Sequence, residues 1–74
     1  MTIEEYYALL EKHDWYYEMS DDHRVWKAGV AARDNLVAIA AEHGGQYQTL
    51  LDGFRAHYFS GDPWGTEKQP KPTL

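Results

Sequence analysis

Apolar positions along the first part of the chain follow the period of an α-helix. They recur at steps of three, four and seven residues and would form one buried stripe: Ile3, Tyr6, Tyr7, Leu10 and Tyr17. Thr2 stands three residues before Glu5. This is the spacing of a capping box, in which each side chain accepts a hydrogen bond from the other residue's backbone N–H. We therefore predict a helix that begins after Thr2 and runs to about residue 18.

Two further helical patterns follow the first. Ser20 is the predicted N-cap of the second helix, with Asp21 and Asp22 in the first turn, where the helix dipole favours carboxylates. The predicted buried seam of this helix is Trp26, Gly29, Arg33, Leu36, Ala40 and His43. Gly44-Gly45 is typical of a helix C-terminus. A third helix is predicted from about Gln46 to Phe59, with its apolar stripe at Tyr47, Leu50, Leu51, Phe54 and Tyr58.

The helical pattern ends after the third segment. Residues 60–65 are rich in turn formers, and we expect Trp64 to fold back onto the helices. Residues 66–74 are polar and predict a flexible tail. Three helices with short connections predict an all-α fold, a compact three-helix bundle that forms a single domain over residues 1–65.

Length and composition exclude several classes of protein. A chain of 74 residues builds only one small core. The absence of cysteine removes disulfides and thiolate metal sites. No apolar run approaches the roughly 18 residues of a membrane span, and the start lacks the basic region of a signal peptide. We therefore expect a cytoplasmic domain that does not enter a membrane.

Charge is distributed unevenly along the chain. The formal net charge is −5, and residues 1–24 carry seven acidic against two basic side chains, so the excess negative charge lies in this part. A negative surface repels the phosphate backbone, and direct binding of nucleic acid is not expected.

Acidic and aromatic residues coincide around the first predicted loop. The predicted partner-binding residues are Asp14, Trp15, Tyr16, Glu18, Asp21, Asp22 and His23. Tyr and Trp are enriched among the residues that dominate protein interfaces, and carboxylates attract a basic partner surface. A purely structural interpretation also fits, because aromatic stripes usually form cores and acidic runs usually form solvated faces.

Residue types that carry chemistry suggest two alternatives to a protein-binding module. One is a metal centre or metal-dependent hydrolase, for which the candidate ligands are His13, Asp14, Asp21, Asp22, His23 and His57. No two histidines have helical i, i+4 spacing, so tertiary contacts would have to bring them together. Ser20 and Ser60 lack the surroundings of a nucleophile elbow, and no phosphate-binding glycine motif occurs. We predict no enzymatic activity and no cofactor. The other alternative is a homo-oligomeric structural module, such as a homodimer that buries the aromatic stripe.

Two stretches of the chain, HDWYYEMSDDHRVWKAG at residues 13–29 and HYFSGDPWG at residues 57–65, are distinctive. They resemble a group of short bacterial, plasmid and phage proteins for which no activity is established. The resemblance implies a mobile-element setting and assigns no role to any residue. By analogy it implies an inhibitor of a host or defence protein, such as an anti-CRISPR protein.

Overall fold

Helices account for nearly all of the regular structure. The structure, a computed structural model, describes residues 1–59 and 70–74. The elements are α1 (Ile3–Lys12), a 3₁₀ turn (Tyr17–Met19), α2 (His23–His43) and α3 (Gly45–Phe59). No strand occurs among these residues, and the predicted all-α, three-helix architecture is confirmed. The turn predicted over residues 60–65, with Trp64, and residues 66–69 of the predicted tail lie outside the described residues.

Helix α1 begins as predicted and ends earlier. The Thr2 hydroxyl accepts from the Glu5 N–H, and the Glu5 carboxylate accepts from the Thr2 N–H, each at 3.1 Å. The prediction of one helix to about residue 18 is wrong, because α1 ends at Lys12 and His13 has an extended backbone. The Asp14 carboxylate then accepts from the Tyr16 N–H at 3.0 Å. A short side chain that bonds to the nearby backbone in this way competes with helix continuation.

The start of α2 also differs from the prediction. Asp22, not Ser20, is the N-cap, and its carboxylate accepts from the Arg24 N–H at 2.9 Å. The Ser20 hydroxyl accepts from the Asp22 N–H at 3.1 Å and so holds the turn that precedes the helix. Both side chains have cap chemistry, and the sequence alone did not distinguish which of them lies at the boundary.

The predicted boundary between α2 and α3 is confirmed. Gly44 is the C-cap of α2 with a φ of 65°, a backbone conformation that residues with a side chain rarely adopt. Helix α3 follows at once from Gly45. None of the helices in the described part of the chain combines the length and apolarity that crossing a bilayer requires.

Contacts between distant residues establish the direction of the helices. The Tyr47 hydroxyl donates to the Met1 carbonyl just before α1, and Tyr7 packs against Phe54 further along both helices, so α1 and α3 run in the same direction. The Tyr6 hydroxyl donates to the Leu36 carbonyl at 2.7 Å, which joins α1 to the antiparallel α2. This is the up-down-up order that short connections favour.

The core lies where the three helices meet. Its buried members are Tyr6, Leu10, Trp15, Leu36, Ala40, Leu50, Leu51 and Phe54. Trp15 stacks against Phe54 and Tyr58 with ring centroids 6.0 and 5.5 Å apart. Large aromatic side chains thus supply much of the buried area of this short chain.

The end of the chain packs on α1 and α3. The Tyr7 hydroxyl donates to the Pro72 carbonyl at 2.7 Å, and the Lys71 ammonium lies 2.9 Å from the Glu11 carboxylate. The Pro72 ring occupies space that a side chain at position 53 would need, so Gly53 permits this contact. A flexible tail was predicted from the polar composition of residues 66–74. Composition does not reveal the contacts of Lys71 and Pro72, because their partners lie far away in the sequence.

Candidate binding surface

Residues 14–26, which we call the acidic segment, contain all the predicted partner-binding residues. Short-range hydrogen bonds shape the part between the helices: Asp14 and Ser20 each accept from a backbone N–H two residues on. The Met19 N–H donates to the Tyr16 carbonyl at 2.9 Å, and the Ser20 N–H to the Tyr17 carbonyl at 3.1 Å. Four backbone N–H groups between the helices, those of Tyr16, Met19, Ser20 and Asp22, thus have a local hydrogen-bond partner.

Two aromatic residues anchor the acidic segment to the helices. Trp15 is only 4% exposed, and its indole N–H donates to the Leu10 carbonyl at 2.9 Å. Tyr17 is also buried, and its ring lies directly on the backbone of Gly29 in α2. Trp15 was predicted to contact a partner, but the structure places it in the core. Tyr17 was predicted to extend the stripe of α1, but it reaches the interior from the 3₁₀ turn.

Other large apolar side chains of the acidic segment point to solvent. Tyr16 is 42% exposed and contacts Tyr58 and Phe59 through ring edges. Met19 is 78% exposed, and Trp26 is 41% exposed. The placement of Trp26 on the buried seam of α2 was therefore wrong. No feature of the sequence identified Met19 as exposed, because a methionine beside acidic residues fits a core as well as a surface.

The four carboxylates of the acidic segment are exposed, and they differ in their contacts. Glu18 lies 3.3 Å from the Arg33 guanidinium and accepts from the Tyr17 hydroxyl at 3.2 Å. Asp14 and Asp22 accept from backbone N–H groups. Asp21 makes no ion pair with any residue that the structure describes. Asp21 is thus the carboxylate whose charge is most available to a partner.

His23, the last predicted contact residue, lies at the first position of α2. It is exposed, and its ring stacks against Trp26 with the centroids 5.9 Å apart and the planes 17° apart. Stacking holds the Trp26 ring along the helix surface, so the two side chains form one continuous aromatic patch beside Asp22.

His13 is the histidine whose surroundings are most unusual. Its ring meets the edges of Trp15 and Tyr17 at 4.7 and 5.6 Å, and its buried Nε2 has no hydrogen-bond partner among the described residues. Burial lowers the pKa of His13 below its usual value of 6.5, and the positive charge of Arg33 acts in the same direction. The neighbouring Asp14 carboxylate opposes this effect. The ring is thus held neutral near pH 7.

The predicted metal ligands do not converge in the described part of the chain. Within residues 1–59 and 70–74, no three His, Asp or Glu side chains lie close enough together to hold a metal ion. His13 instead packs among aromatic rings, and His23 stacks on Trp26. These positions do not form the ligand cluster that the metal-centre alternative requires.

Comparison of the chain with known protein families, with curated proteins and with solved structures finds no match. Any functional assignment therefore depends on the chemistry of the surface itself.

Proposed function

We propose that this chain is a small, non-enzymatic binding protein of the cytoplasm that uses the acidic segment to bind a basic surface of another protein. The observation that carries the proposal is the exposure of Met19 and Trp26 among four carboxylates, on a segment that the buried Trp15 and Tyr17 anchor. Exposed apolar side chains surrounded by charge are typical of protein interfaces.

The shape of the acidic segment supports this proposal energetically. Association costs free energy when loops and side chains become ordered, and a surface that is already ordered avoids part of that cost. Here Trp15 and Tyr17 hold the segment from below. Tyr16, Met19 and Trp26 would provide the apolar contact area, in place of the buried Trp15.

The charges of the acidic segment indicate the partner. Four carboxylates stand against the guanidinium of Arg24 and the ammonium of Lys27 at its edge. Only the Asp22–Arg24 pair, at 3.7 Å, is formed inside the segment. Carboxylates exposed in this way accelerate association with a positively charged surface. An inhibitor that blocks a nucleic-acid-binding host or defence protein, as the resemblance to mobile-element proteins implies, would have such a partner.

The first experiment is a pull-down from host lysate, followed by binding kinetics of the purified pair. We expect Asp21→Asn to slow association several-fold and to reduce its dependence on salt. Trp26→Ala should speed dissociation about tenfold or more. Asp21 is preferable to Asp22 for this test, because Asp22 caps α2 and its loss would change the fold as well as the charge.

Matched controls separate the acidic segment from the rest of the surface. Glu42→Gln removes one exposed carboxylate at the far end of α2, and Leu74→Ala removes one exposed apolar side chain. Both should leave the kinetics unchanged. Equal effects of Asp21→Asn and Glu42→Gln would contradict the proposal. Light scattering of the purified chain tests the homodimer alternative, since a dimer that is broken by Trp26→Ala would assign the patch to self-association.

A further inference from the structure

The surface also has a cleft that does not include the exposed Met19 and Trp26. The 3₁₀ turn, α2 and α3 enclose a cleft of about 210 Å³. Its apolar walls are Trp15, Tyr17, Leu36, Val37, Leu51 and Phe59. Phe59 is 56% exposed at the rim, while Trp15 and Leu51 are buried at the base. The cleft therefore has apolar residues at its base and an exposed aromatic ring at its edge.

The size of the cleft restricts what can enter it. An apolar cavity of about 150 Å³ binds benzene, and each water molecule takes about 30 Å³ of liquid volume. The cleft thus has room for one aromatic ring and a short polar chain. Typical sites for drug-sized ligands begin at about 300 Å³, so a nucleotide would not fit.

Charge at the cleft is opposite to that of the chain as a whole. Among the described residues, Arg33 and Arg55 line it together with one carboxylate, Glu18. The Arg33 guanidinium is shared between Glu18 at 3.3 Å and Asp34 at 3.4 Å. Arg55 is exposed and forms no ion pair with any of the described residues. An unpaired guanidinium beside an apolar cleft is suited to a ligand with one carboxylate.

One polar group beside the cleft lacks a hydrogen-bond partner among the described residues. His13 lines the cleft, and its Nε2 is buried without a hydrogen bond in the part of the chain that the structure describes. Because this atom is closed to solvent, it does not face the open space of the cleft, and the ligand proposed below makes no bond with it.

We propose that this cleft binds a small aromatic monocarboxylate, with the ring between Trp15, Tyr17 and Phe59 and the carboxylate on the Arg55 guanidinium. The ring replaces water against apolar walls, and the carboxylate forms the ion pair that Arg55 lacks within residues 1–59 and 70–74. Neither Met19 nor Trp26 lines the cleft, but Trp15, Tyr17 and Glu18 of the acidic segment do, so the two proposed sites adjoin each other.

The test is a titration of the full chain with 3-phenylpropionate, followed by the amide resonances of the ¹⁵N-labelled protein. We expect saturable shifts at residues 33–37 and 55–59, with a dissociation constant of about 1 mM or tighter. Propionate lacks the ring, and 3-phenylpropanol lacks the charge. Each should bind at least about tenfold more weakly. Absence of saturation with 3-phenylpropionate, or equal binding of the alcohol, would overturn the proposal.

Paired variants locate the site. Arg55→Gln should weaken binding about tenfold, whereas Arg24→Gln, whose side chain is 94% exposed at the start of α2, should not. Val37→Trp should block the cleft, whereas Ala38→Trp, on the exposed side of the same helix, should not. Circular dichroism checks that each variant folds, and the ligand series on the parent chain does not depend on the variants.

One further ligand distinguishes the source of the carboxylate. N-acetylphenylalanine carries the same groups as the C-terminal residue of a polypeptide. Weaker binding of N-acetylphenylalanine than of 3-phenylpropionate supports a small-molecule site. Tighter binding would assign the cleft to a chain terminus and overturn the proposal as stated.

Discussion

The two halves of α2 pack against different parts of the molecule. In the C-terminal half, Leu36 and Ala40 are buried against α1 and α3. In the N-terminal half, all residues from His23 to Ala28 are exposed, and Gly29 is covered by Tyr17 of the 3₁₀ turn. One half therefore belongs to the common core, while the other depends on a single neighbouring element. A helix held on one side leaves more of its surface for binding, and its local stability is correspondingly lower.

We expect the largest loss of stability from a substitution in the core on which the C-terminal half of α2 packs. Phe54 is completely buried and contacts both Tyr7 and Trp15. Phe54→Ala should lower the free energy of unfolding by about 3–5 kcal/mol, because it removes apolar burial and leaves a cavity. Phe59→Ala, at an exposed position, should cost less than about 1 kcal/mol. Urea unfolding measures both, and similar losses would contradict the assigned core.

A smaller effect is expected at the N-terminal half of α2. A Cβ atom at position 29 would overlap the base of the Tyr17 ring, which cannot move without the backbone. Gly29→Ala should therefore cost about 1–3 kcal/mol, although alanine favours a helix by about 1 kcal/mol. Hydrogen exchange should accelerate in residues 23–32 and change little in residues 36–43.

The double variant sharpens this prediction. In a Tyr17→Gly background, which removes the Tyr17 Cβ as well as the ring, the overlap disappears, and Gly29→Ala should become stabilising by up to about 1 kcal/mol through helix propensity alone. A destabilising effect in both backgrounds would show that contact with Tyr17 is not the cause.

The smallest expected effect is a pH dependence of the free energy of unfolding. It comes from His13, which lies beside the middle of α2, where its two halves meet. Burial lowers the pKa of His13 in the folded chain below its usual value of 6.5, so the unfolded chain binds the proton more readily. The stabilisation contributed by the neutral ring is complete above pH 6.5. It decreases as the pH falls through that value towards the folded pKa. Urea midpoints measured between about pH 7.5 and pH 5.5 should show this fall.

His13→Gln is the control for the pH dependence, because glutamine keeps a polar side chain without a titrating group. The slope between these pH values should become shallower in the variant. An unchanged slope would assign the pH dependence to other groups.

The functional residues divide into those that the sequence could predict and those that it could not. Asp21 and Asp22 were recognisable as exposed acids at a helix start, since charged residues seldom enter a core. The sequence did not show that Trp15 is buried and that Trp26 is exposed. Trp26 fits the predicted seam of α2, whereas Trp15 lies off the predicted stripe of α1, and which of the two is buried depends on where α1 ends. The cleft was also invisible, because Arg33, Arg55 and Phe59 are brought together by two helices and the 3₁₀ turn.

The sequence by itself determined the helical class, the Thr2 capping box and the stop at Gly44. These features arise from local chemistry: the period of apolar residues, a reciprocal pair of side chains, and a positive φ that glycine tolerates. Only the tertiary structure decided the end of α1, the burial of Trp15 and Tyr17, and the packing of Pro72 on α3. These depend on contacts between residues far apart in the chain, such as Tyr17 with Gly29, and their energy is absent from any short segment.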